Sequence, residues 1–104
     1  MDKKLKDKWT ARLRSGQYFQ GRGAFRNLEN EFCCLGVLCD IVNPVGWRVG
    51  IDRWYFWKDQ KGEFDTTQLD ALGLSNEDQT SLIRMNDDER ADFNQIADWI
   101  DANF

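Results

Sequence analysis

Residues 31–44, EFCCLGVLCDIVNP, place all three cysteines of the chain inside one apolar run. Leu35, Leu38, Cys39 and Val42 recur at i, i+3, i+4 and i+7, the spacing of a buried helical stripe. Cys34, Val37, Leu38 and Ile41 form a second stripe beside it. A helix apolar on most sides must lie in the middle of a domain. Gly36 allows another element to approach it closely, and Pro44 ends it by pushing Asn43 out of helical conformation. The chain has no histidine, and C-C-x4-C is not the spacing of a zinc knuckle, so no metal site is expected. Vicinal Cys33 and Cys34 bridge poorly. The thiols are therefore expected to be small core residues. The absence of histidine also removes Ser-His and Cys-His catalytic pairs.

The rest of the chain supplies enough apolar area to close around this helix. Five Trp, seven Phe and two Tyr in 104 residues suffice for one core, and a single domain over residues 1–104 is expected. No apolar run approaches the roughly 20 residues that span a bilayer, and the lysine-rich start lacks the apolar stretch of a signal peptide. A cytoplasmic location follows as the expectation. The net charge of −4 is unevenly spread. Residues 1–26 hold eight Lys/Arg and two Asp, whereas residues 63–104 hold two Lys/Arg and eleven Asp/Glu. A basic first helix packed beside acidic C-terminal helices accounts for this, as does a basic face for an anionic ligand.

Leu5, Trp9 and Leu13 mark a first helix over 2–15, with Gly16 at its end. Residues 47–57 are rich in aromatic and β-branched residues, and a small antiparallel sheet of two or three strands is expected there. Thr66 is read as the cap of a short helix that stops at Gly73. Ser75 and Asp78 form a capping box that opens a helix to about Met85, and NDDERAD breaks it. Phe93, Ile96, Ala97, Ile100 and Phe104 give a clean amphipathic stripe for the last helix.

Three blocks, RSGQYFQGRGAFR, FCCLGVLCD and LIRMNDDERADFNQIADWI, resemble a recurrent family of small proteins of tailed phages and prophages. Phe25 stands where that pattern has Leu, and DDERAD replaces a shorter glycine-containing turn. The resemblance implies a phage origin and a location in the host cytoplasm. It brings no catalytic residues with it.

The best ligand-site candidate is YFQGRGAFR. Gly21 and Gly23 free the backbone to present N–H groups, Arg22 and Arg26 add charge, Gln20 lies beside them, and Tyr18 and Phe19 offer rings for a base to stack on. Together they suit a phosphate or nucleotide, although the P-loop signature is absent. Trp54, Tyr55 and Trp57 are expected to supply an interface, because consecutive strand residues face opposite ways and cannot all enter one core. The acidic cluster Asp87, Asp88, Glu89 and Asp92 lacks the order of a calcium loop and reads as a solvated turn. No basic recognition helix follows FNQIADWI, which argues against direct DNA binding.

The sequence thus points to a small α+β domain with a central apolar helix, an aromatic-rich antiparallel sheet and a helical C-terminal third. The expected role is non-enzymatic and needs no cofactor: binding of a host protein or an anionic signalling nucleotide, for instance in counter-defence, with homo-oligomerisation left open. The rival readings are a carboxylate-dependent enzyme using Glu31 and Asp40, and a virion or replication accessory protein.

Overall fold

A computed structural model describes residues 1–50 and 54–104. The chain begins with helix α1, Lys3–Arg14, capped by the Asp2 carboxylate, which accepts from the Leu5 N–H. Two short strands follow, β1 (Phe19–Gln20) and β2 (Glu31–Phe32), paired in parallel. The central helix α2 spans Cys34–Val42, and Cys33 is its N-cap. Strands β3 (Trp47–Val49) and β4 (Tyr55–Trp57) pair antiparallel, with Trp47 opposite Trp57. The expected aromatic sheet is therefore present as two strands, while residues 51–53 of that segment lie outside the described residues. Helices α3 (Thr66–Leu72), α4 (Asn76–Ile83) and α5 (Phe93–Asn103) complete an α+β domain.

The central helix is buried from Cys34 through Cys39, and all three cysteines are free and buried. Val42 departs from the expected stripe: it is 41% exposed, because the last turn of α2 leaves the core before Pro44. Gly36 has the close approach its position suggested. A Cβ there would stand 1.8 Å from the Phe25 carbonyl oxygen. Phe25 O also accepts from the Cys33 N–H, so the loop before β2 lies directly on the start of α2. The Trp9 indole donates to Cys34 O at 2.9 Å and ties α1 to the same turn.

Two local expectations need correction. The cap of α3 is Asp65, not Thr66, because a carboxylate one residue earlier completes a reciprocal box with Gln68. NDDERAD does not end α4 at Met85. The helix widens into a π-turn over Arg84–Asp88, closed by Glu89 N–H to Arg84 O at 2.9 Å. The chain then turns and α5 opens on a capping box of Asp92 and Gln95. Phe93, Ile96, Ala97 and Ile100 are buried as the stripe requires. The charge asymmetry is partly met here, since Arg14 of α1 pairs with Asp98 and Asp101 of α5 at 2.8 and 2.9 Å.

Candidate functional site

The segment 18–26 does not act as one loop. Its residues divide between an interior polar cluster and a surface cavity, because alternate positions around β1 face opposite ways.

The interior cluster centres on Asn86, fully buried in the π-turn. Its Oδ1 accepts from Gln20 Nε2 at 2.9 Å and from the Cys34 N–H at 3.2 Å. Its Nδ2 donates to Gly21 O at 2.9 Å and to Asp87 Oδ1 at 2.8 Å. Gln20 donates as well to Ala91 O. The Gly21 N–H, expected to face an anion, is instead donated to Phe32 O at 2.8 Å. Gln20 and Gly21 are thus engaged with the protein itself. Gly23 lines a separate, smaller cavity of about 150 Å³ together with Cys33, Glu63 and Asp87. Arg22 is exposed and, among the described residues, has no ion-pair or hydrogen-bond partner.

Tyr18 and Arg26 meet at the second place, a surface cavity of about 380 Å³ lined also by Gln17, Phe19, Asn30, Phe32 and Asp40. Arg26 is half-buried, and its guanidinium carbon lies 4.0 Å from the Tyr55 ring centre, 5.1 Å from Phe32 and 5.3 Å from Trp47. Its backbone carbonyl accepts from the Tyr55 N–H, which fixes the main chain over β4. Arg26 Nε donates to Asn30 Oδ1 at 2.8 Å. The Nη nitrogens have no partner among the described residues.

Asp40, on α2, also lines this cavity. Its Oδ2 accepts from the Tyr18 hydroxyl at 2.6 Å and its Oδ1 from the Trp47 indole at 3.1 Å. Arg12 Nη1 donates to the Tyr18 oxygen at 3.2 Å. Burial, and after it the bond to Asp40, raises the Tyr18 pKa, so the phenol stays a donor at neutral pH. The cavity therefore carries a cation held between aromatic rings and a carboxylate held by two donors. Phe19 stands at its edge, 76% exposed.

Sequence reasoning set Phe19 beside Tyr18 as a stacking ring but missed Asp40 and the aromatic surround of Arg26 as parts of the same site. The proposed interface residues are also distributed differently. Trp57 belongs to the core at 2% exposure, with its indole donating to Asn43 O and its ring edge against Phe64. That corrects its expected place at an outer face. Tyr55 and Trp54 are half-buried, Tyr55 beneath Arg26 and Trp54 in backbone pairing with Asn27. Glu31 and Asp40 share neither of these two cavities: Glu31 accepts from Asn27 Nδ2 at 2.7 Å and lines neither of them.

The thiols have no activating surroundings. Burial pushes Cys33 up from 9.0 to about 12 and raises Cys34 and Cys39 well above the usual thiol range. Among the described residues no cluster of three or more His, Cys, Asp or Glu is placed to hold a metal ion, and no helix is long and apolar enough to cross a membrane.

No curated protein and no solved structure matches the chain. A family model does match, over residues 1–64, a span that takes in Tyr18, Arg26 and Asp40 but stops short of Asn86. The chain belongs to that family, described as a domain of unknown function, DUF8296.

Proposed function

We propose that this chain is a binding protein whose surface cavity takes a nucleotide, and that it is a phage protein acting on a signalling nucleotide of the host. The observation that carries the reading is Arg26. A half-buried guanidinium held by three rings and by Asn30 is oriented before any ligand arrives. Its Nη nitrogens are left as the paired donors that match phosphate oxygens. Phe19 offers an exposed ring for a base to stack on. Each Asp40 oxygen accepts one bond and retains a lone pair for a base amino group. The cavity thus complements a ligand with an anion at one end and a flat, hydrogen-donating ring at the other. The phage and host elements of the proposal are supported by the three sequence blocks.

The test is calorimetric titration with mono-, di- and cyclic nucleotides of all four bases. Wild type and Arg22→Ala should bind alike, and Arg26→Ala should lose binding with its fold intact. Silence from every nucleotide with wild type rejects the reading, as does equal binding by Arg26→Ala.

A further inference from the structure

Helix α1 adjoins the cavity at Tyr18. Arg12, which donates to the Tyr18 oxygen, is the last member of an exposed series Lys4, Lys8 and Arg12 on α1. At i, i+4 and i+8 these side chains lie along one flank of the helix, about 6 Å apart in rise. The other flank is different. Lys6 donates to Phe104 O, and Arg14 pairs with Asp98 and Asp101, so α5 neutralises that side. Among the described residues, Lys4, Lys8 and Arg12 have no acidic partner within ion-pair distance. One basic flank of α1 is thus explained by internal packing, and the flank leading away from the cavity is not.

We propose that the ligand of the cavity carries a chain of phosphates, and that the phosphates beyond the first run from Arg26 past Arg12 onto Lys8 and Lys4. This rests on the nucleotide reading above and narrows it to nucleotides bearing a linear oligophosphate. Successive cations rise by about 6 Å, wider than the step between linked phosphates, and the long flexible side chains converge to close that difference. Lysine on an exposed helix face serves as a mobile point charge, which tolerates the flexibility of such a chain. Arg26 grips the first phosphate in a fixed geometry, and the α1 series attracts the remainder over a longer range.

The experiment compares a nucleoside monophosphate, diphosphate and triphosphate of one base by calorimetry at low salt, with wild type and with Lys4→Ala/Lys8→Ala. Both lysines are exposed, so the variant should keep its fold, which circular dichroism checks. In wild type, affinity should rise about fivefold for each added phosphate, the size of one exposed charge contact in water. The rise should disappear in the double variant, while the monophosphate binds both proteins equally. It should also shrink as salt is raised. Equal affinity for mono- and triphosphate in wild type overturns the inference and leaves the cavity standing. So does a gain that persists without the lysines. Failure of all three nucleotides to bind wild type overturns the cavity reading itself, and this inference with it.

Discussion

The Asn86 cluster and the Arg26 cavity are built from the same stretch of chain, residues 18–26, yet they use polar groups in opposite ways. Around Asn86 each side-chain nitrogen and oxygen has a partner inside the protein. No buried side-chain polar atom among the described residues is left without one. Around Arg26 and Asp40 the anchoring bonds are complete but donor and acceptor capacity remains. A saturated polar cluster fixes one arrangement of elements. An anchored but unsaturated one is what a ligand needs. The first is a structural joint and the second a candidate site, although their residues interleave in sequence.

The comparison breaks most severely at Gly36, which underlies both regions. Gly36→Ala drives a Cβ into the Phe25 carbonyl, and backbone cannot move aside as a flexible side chain would. We expect a loss on the order of 4 kcal/mol or more, read as failure to yield a cooperative urea transition. A near-wild-type midpoint would show that the loop is free to lift from α2.

Asn86→Ala should be next. It removes at once the side-chain donor to Gly21 O, the acceptor of the Cys34 N–H and one of the two acceptors of Gln20, and buried unmatched groups cost roughly 1–3 kcal/mol each. A loss of about 3 kcal/mol is expected in chemical denaturation, with ligand binding retained by the folded fraction. If the folded fraction no longer binds, joint and site are one unit and the contrast drawn here is wrong.

Alkaline pH acts on the buried thiols and, at the cavity, on Tyr18, whose phenol is also held protonated by the fold. The folded chain keeps the Cys33 thiol protonated up to about 12, whereas the unfolded chain releases that proton near 9.0. This contribution to stability is fully present below pH 9 and is lost as pH rises toward 12. Cys34 and Cys39 shift in the same direction. The urea midpoint should fall over that window, and fall less steeply in Cys33→Ala. Identical slopes would assign the loss to other groups. The same burial predicts that thiol reagents label the protein only on unfolding.

The smallest effect on stability is expected at the cavity. Arg26→Ala should cost about 1 kcal/mol through its lost aromatic contacts, while removing nucleotide binding. Arg22→Ala should change neither. A larger destabilisation by Arg26→Ala than by Asn86→Ala would reverse the roles assigned to the two regions.

Much of this architecture is readable from periodicity. Cys34 to Cys39 and Phe93 to Ile100 announce buried helices because their neighbours repeat the signal every turn. Ser75 with Asp78 is legible because both halves of the cap lie three residues apart. Asn86 is harder to read. A single amide in an acidic stretch resembles a solvated turn, and its partners lie 52 to 66 residues away. One signal was available: Gln79, Leu82 and Asn86 follow the i, i+3, i+7 pattern of a buried face. The cavity was half legible. Tyr18, Phe19 and Arg26 follow from local composition, but Asp40 is paired there with Glu31 as a carboxylate and not with Tyr18, from which 22 residues separate it. The burial of Trp57 depends on Phe64 and Asn43, which alternation along one strand does not reveal.

The π-turn at Arg84–Asp88 also bears on how chains of this kind can change length. A π-turn holds one residue more than an α-turn in the same rise. Removing a residue before Asn86 would rewind the segment and rotate that amide by about 100° away from Gln20 and Gly21. Adding one would overshoot by a similar angle. After Asn86 the side chains of Asp88, Glu89 and Arg90 are exposed, but the backbone is still tied, by the Glu89 N–H to Arg84 O and by Ala91 O accepting from Gln20. A change of length between α4 and α5 must therefore keep Asn86 facing Gln20 and Gly21, the π-turn closed at Glu89 and Ala91 O within reach of Gln20.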